Sequence, residues 1–182
     1  EWPKNFQHDY DVDIREGQIC KEAHISLNAY YIAAVRTANK IASILNIVQY
    51  RDESPLISAF YTAFYDKQKN LFRDGENTEH ISLVGNSFVY GFALCSDNRF
   101  QQNFLSMLDG NKISSLSFFC TFPVFVGLVR NNRYDLIKQY LLDDGAWKRI
   151  LREDGTTTFE GWGKDTKWNT SLFHLTMSYA AI

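Results

Sequence analysis

The residues best suited to chemistry lie between positions 153 and 174, in the run EDGTTTFEGWGKDTKWNTSLFH. Glu160 stands there after Phe159 and before Gly161, Trp162 and Gly163, a carboxylate set among aromatic rings where glycine lets the backbone bend close to a ligand. Cleavage of a glycosidic bond asks for two carboxylates facing one bond. One protonates the leaving oxygen, and the other activates water or attacks directly. Glu160 suits one of these roles, with Phe159 and Trp162 beside it to exclude solvent. The same residue also reads as a solvated loop glutamate, and the residues alone leave both accounts open. His174 either donates to a sugar hydroxyl from the same mouth or is a satisfied core histidine beside Leu172, Phe173 and Leu175. Trp162 and Trp168 either stack on the apolar face of a sugar ring or close over the core.

Other chemistries find less support. His24 and His80 sit beside Glu22 and Glu79, but their spacing fits no metal signature, and no metal or other cofactor is expected. There is no Gly-rich phosphate loop and no serine-centred nucleophile elbow. Cys20, Cys95 and Cys120 are odd in number, far apart and without a CxxC spacing, so they read as buried free thiols that lean towards a reducing interior. The formal charge is −2, with lysine and arginine scattered along the chain, which removes the basic stripe that nucleic-acid binding needs. The apolar run from Leu116 to Val129 is shorter than the ~20 residues that cross a bilayer and is broken by Ser117, Thr121 and Pro123. Neither nucleic acid nor membrane is an expected partner.

At 182 residues, with 45% hydrophobic and 22% charged residues, the chain is sized for a single domain, residues 1–182, with a substantial core. Aromatic residues are abundant at 15%, enough for both a bulky core and the walls of a pocket. Apolar residues recur at helical spacing from about Ser26 to Asn46. Asp52-Glu53-Ser54-Pro55 opens a second helix towards Lys69, and Glu79 to Leu94 is apolar almost all round, as a buried helix should be. Further helices are predicted over Asn98–Leu108, Leu116–Val129 (kinked at Pro123), Tyr134–Leu142 and Asn169–Ile182. Helices buried on all sides near residues 35, 87, 123 and 175 alternate with two-faced ones, which predicts an all-α fold of concentric helical hairpins, an α/α toroid. Too few helices are visible to close a ring of six hairpins, so an open arc that self-associates through bare interior surface is expected; a self-contained orthogonal bundle is the competing architecture. The β-branched run Thr156-Thr157-Thr158 predicts a short hairpin near 155–163. Glu1-Trp2-Pro3-Lys4, without an initiating Met, reads as a cut inside a longer protein.

Several blocks, in order, resemble the bacterial α-L-rhamnosidases. EWPKNFQHDYD at Glu1–Asp11 is similar to that family's DWPxN…DGYD segment, and Asn28-Ala29-Tyr30-Tyr31 to its NAYY helix start. Glu79-His80-Ile81-Ser82-Leu83, followed by Asn86, is similar to EHSSLxxN. LREDGTTTFEGWG at Leu151–Gly163 and WNTSLFH at Trp168–His174 are similar to LREGATTTWEAWG and KWNTSLxH. Phe159 stands where the family usually has Trp, Val84-Gly85 replace a His-Ala pair, and Asp154 adds an acid. The resemblance implies an (α/α)6-barrel catalytic domain, of which this chain is the C-terminal part, acting on terminal rhamnosides with inversion. It implies Glu160 as the catalytic base, His174 as a rhamnose contact, Trp2 as an aromatic wall of the sugar subsite, and a rhamnose-containing carbohydrate as partner. The general acid of that family lies in an upstream Asp/Glu/Trp-rich segment that these residues do not include, which predicts an inactive isolated piece. A non-catalytic carbohydrate-binding or helical interaction module is the alternative.

Overall fold

The computed structural model describes residues 23–166 and 170–174. Trp2, Cys20, Trp168 and the helix expected beyond residue 174 lie outside the described residues. Seven α-helices and one two-stranded antiparallel ladder follow one another among those described. They are α1 (Ile25–Ile44), α2 (Ser54–Phe64), β1 (Tyr65–Asp66), β2 (Leu71–Phe72), α3 (Leu83–Gly91), α4 (Asn98–Asn111), α5 (Phe118–Arg130), α6 (Tyr134–Leu141) and α7 (Trp147–Arg152), with a 3-10 turn at Ile113–Ser115 before α5. The fold is all-α with a short β-hairpin.

Local chemistry sets most helix starts. Helix α2 begins at Ser54 with Pro55 in its first turn, where a missing N–H costs nothing, and the Asp52 carboxylate accepts the Ser54 N–H at 3.0 Å. Ser82 caps α3 by accepting the Gly85 N–H at 2.9 Å, Asp97 caps α4 through the Arg99 N–H, and Ser117 caps α5 through the Cys120 N–H. Helix α5 runs through Pro123, the position at which a kink was expected.

Helix α3 is the hub. All nine of its residues are buried, as its all-round apolar sequence predicts, and it packs on α1, α4 and α5. Its contact with α5 is close because two glycines permit it. A Cβ on Gly91 would stand 2.3 Å from the Cβ of Pro123, and one on Gly127 would stand 2.4 Å from the Tyr90 ring. Beside this contact runs a chain of aromatic rings, Phe60, Phe64, Phe72, Phe100 and Phe104, with neighbouring centroids 4.9–6.3 Å apart in tilted, edge-on or stacked arrangements.

The structure departs from the sequence expectations in five places. Helix α2 ends at Phe64, and the residues expected to prolong it form the hairpin, whose turn is closed by the Asp66 carboxylate accepting the Gln68 and Lys69 N–H groups and by Asn70 at φ 50°. The ladder therefore lies at 65–72, while 155–163 is a bent loop with no ladder of its own. Helix α1 is buried along one face only, at Ile25, Ala29, Ile32, Val35 and Ala42. The short helix α7 carries too few apolar repeats to stand out from its polar flanks. Residues 170–174 are irregular rather than helical, their backbone pairing with the 158–160 segment.

Candidate functional site

Helix α7 and the loop after it position Glu160. The helix ends as Asp154 turns left-handed at φ 55° and the Gly155 N–H returns to the Ile150 carbonyl at 2.9 Å. Glycine is needed at 155, since a Cβ there would stand 2.6 Å from the Ile150 side chain and 2.7 Å from its carbonyl oxygen. The loop then dips into the core twice. Phe159 is fully buried. Trp162 is 3% exposed, donates its indole N–H to the Leu116 carbonyl at 2.6 Å and meets Trp147 edge-on with centroids 4.7 Å apart.

Arg149 of α7 ties the two ends of the loop together. Its guanidinium donates to Glu153 at 2.7 Å and pairs with Asp165, while the other Glu153 oxygen accepts the Lys164 N–H at 2.7 Å. The Lys164 N–H, with Arg149 beside it, holds the Glu153 carboxyl below its usual range, and Glu153 in turn raises the Arg149 guanidinium.

A backbone clip completes the site. The Glu160 N–H donates to the Ser171 carbonyl at 2.8 Å, and the Ser171 N–H donates to the Glu160 carboxylate at 3.0 Å. The His174 N–H donates to the Thr158 carbonyl at 2.8 Å, while the Thr158 hydroxyl donates to the His174 carbonyl at 2.6 Å. Segments 158–160 and 171–174 thus lie side by side, and Glu160 and His174, both half-buried, sit one on each of them. The Ser171 N–H occupies one carboxylate oxygen and so fixes the orientation of the acid.

Of the residues singled out by sequence, Glu160 and His174 lie on the two segments that this clip joins, Glu160 bonded to Ser171 and His174 to Thr158. Trp162 is a buried anchor beneath the loop, its ring edge held by Trp147 and its N–H committed to Leu116. Trp2 and Trp168 lie outside the described residues. A groove of about 730 Å³ opens elsewhere, between α1 and α2, lined by Asn28, Tyr31, Leu56, Phe60, Arg73 and Glu76 among others; neither Glu160 nor His174 lines it.

A second polar cluster lies at the entry of α3, centred on Asp74, whose burial no local sequence pattern marks. Asp74 is buried, accepts the Ser82 N–H at 3.1 Å and the Ser82 hydroxyl at 2.7 Å, and lies 2.6 Å from His80 Nδ1. Burial pushes its carboxyl above the usual range despite the donors from Ser82 and His80, which act in the opposite direction. Its backbone joins α1 to the α3 entry, accepting the Ile25 N–H and donating to the His80 carbonyl. Asn86 completes the cluster, pairing both backbone groups of Phe72 at 2.9 Å. The sequence signal was Ser82 three residues before Gly85, a capping serine that a buried acid also reaches.

Burial holds the Cys120 thiol up at about 11, so it stays protonated and inert at neutral pH, and Cys95 is buried as well. Among the described residues no group of three His, Cys, Asp or Glu side chains is placed to hold a metal ion, and no helix is long and apolar enough to cross a membrane. Compared with protein families, with curated proteins and with solved structures, the chain gives no match.

Proposed function

We propose that this chain carries the general-base part of an inverting α-L-rhamnosidase, as the C-terminal portion of an (α/α)6-barrel catalytic domain. The observation that carries the reading is the clip. The two motifs with the strongest resemblance to that family, the LREDGTTTFEGWG run and the TSLFH end of the second block, hydrogen-bond to each other at Glu160–Ser171 and Thr158–His174. A base that activates water must be held still, within hydrogen-bond reach of that water. Glu160 is held by its own N–H, by the Ser171 N–H on its carboxylate and by the buried rings of Phe159 and Trp162 on either side. In this reading Glu160 takes a proton from water, His174 contacts a sugar hydroxyl, and a carboxylic acid from an upstream segment protonates the leaving oxygen.

Activity tests the assignment in two forms of the protein. The chain alone should not turn over an aryl α-L-rhamnoside. A longer form that includes the upstream acidic segment should turn it over with inversion, followed by NMR of the first-formed anomer, and Glu160→Gln should lower kcat by about a thousandfold. Full activity of Glu160→Gln in the longer form would sink the role given to Glu160. Turnover by the chain alone, abolished by the same substitution, would sink the need for a second carboxylate from elsewhere.

A second reading, a helical interaction module, is favoured by one observation. The outer face of α1 exposes large apolar side chains along its length.

A further inference from the structure

The geometry points to a two-fold symmetric dimer in which α1 of one copy packs antiparallel against α1 of a second copy. Helix α1 has two apolar faces. One is buried against α2 and α3, and the other carries Leu27, Tyr31, Ala34, Ala38, Ile41 and Leu45, spaced alternately four and three residues apart. That is the spacing of a coiled-coil seam, and it is a different set of residues from those the core uses. Leu27, Tyr31, Ile41 and Leu45 are 40–71% exposed, and just past the helix Ile47 and Val48 are 60% and 92% exposed.

The order of sizes along the seam selects the occupant. Large residues stand at both ends and two alanines in the middle, and the pattern is symmetric about its centre. Set antiparallel about a two-fold axis at that centre, Leu27 meets Leu45 of the second copy, Tyr31 meets Ile41, and Ala34 meets Ala38. The Leu27–Leu45 and Ala34–Ala38 layers are then apolar, the Tyr31 ring meets Ile41 while its hydroxyl accepts from Arg51 at 2.8 Å at the edge of the seam, and the paired alanines let the two backbones come close at the axis. A two-fold contact requires a surface complementary to itself, which this seam is. Lys40 lies off the seam, and its nearest flanking positions, Thr37 and Ile44, carry no charge that would repel its own copy.

Three further observations fit. With Ile44, Ile47 and Val48, seven large apolar residues stand exposed along one side of α1 and the turn after it, a concentration of apolar surface of the kind that marks an interaction site. The turn that displays Ile47 and Val48 is fixed in advance: the Ile47 N–H returns to the Ala42 carbonyl at 2.9 Å, and the Asn39 amide donates to the Arg51 carbonyl at 2.6 Å and accepts the Tyr50 N–H at 3.0 Å. Finally, the groove between α1 and α2 flanks the first half of the seam, at Asn28, Tyr31 and Leu56. An antiparallel copy brings its own Ile44 and Val48 to that half, giving the groove an apolar filling.

Sedimentation velocity on the whole chain should find a species of twice the chain mass. Ile41→Glu, at an exposed position, should raise the dimer dissociation constant about tenfold or more with an unchanged helical spectrum and melting temperature; if that variant misfolds, Ala34→Glu serves the same purpose. In a Cys20→Ser background, the double substitution Ala34→Cys and Ala38→Cys should give a covalent dimer on mild oxidation, whereas Lys40→Cys should not. A monomer at all accessible concentrations, a dimer indifferent to both glutamate substitutions, or failure of the 34/38 pair to cross-link would each overturn the proposal. A dimer held through the α5 or α6 face would be the second of these outcomes.

Discussion

The two irregular segments that matter most are held by opposite means. The turn from Phe72 to Ser82 is fastened from inside, by the buried Asp74 carboxylate and the Asn86 amide, each of which closes on backbone groups that no water reaches. The loop from Glu153 to Thr166 is fastened from outside. Arg149, Glu153 and Asp165 clamp it at the surface, the 171–174 segment clips it along one edge, and Phe159 and Trp162 are the large side chains that reach the core. A buried polar network costs much to break and rigidifies what it joins, whereas exposed ion pairs contribute little and yield readily. The first arrangement suits the pivot of the fold. The second suits a segment that can open without disturbing the core.

Breaking the inner network should cost most. Asn86→Ala strands the N–H and carbonyl of Phe72 and leaves a void, so we expect a loss of about 3 kcal/mol in denaturant unfolding. Trp162→Phe removes the single indole bond to Leu116 and part of a ring, for about 1–2 kcal/mol, and should speed amide exchange in 153–166 while leaving 72–91 protected. Equal acceleration in both segments would mean that they open together and that the contrast is false. Asp154→Gly relieves a left-handed backbone that glycine adopts freely and should stabilise by about 1 kcal/mol, read as a higher melting temperature. Arg149→Met should change global stability by less than about 1 kcal/mol yet loosen the loop amides, because its ion pairs are partly solvated.

Acid should separate the two segments by sign. The Glu153 carboxyl is lowered in the fold, so its contribution is present above the ordinary value near 4.3 and is lost as pH falls through the folded value. Asp74 is raised, so its contribution is present in full below about 3.9 and is lost as pH rises through its folded value. Hydrogen exchange followed downward from pH 6 should show the 153–166 amides losing protection first, and Asp74→Asn should remove the part of the pH dependence that favours acid.

The sequence carried the helices that have one strong period or none. The all-apolar run around Phe88 could only be interior, and α4 and α6 fell where their stripes put them. The hairpin at 65–72 was hidden because its strands are two residues each and its aromatic residues continue the helical spacing of Phe60 and Phe64; the visible cue was Asp66 followed by Asn70, residue types that close turns. Helix α1 misled in another way. Its two apolar stripes summed to an all-round hydrophobic helix, and only the fold shows that one of them faces solvent. At the site, the aromatic flanks of Glu160 were legible as residue types, but the identity of their neighbours was not. Trp162 belongs to Leu116 and Trp147, far away in sequence, and no local pattern announces that.

The seating of Pro123 on Gly91 acts as a detent. With the proline ring resting where any other residue of α3 would project a side chain, and Tyr90 resting likewise on Gly127, α5 cannot slide lengthwise along α3 without lifting off it first. Internal movement is therefore left to the loops at the helix ends, with the central pair travelling as one body.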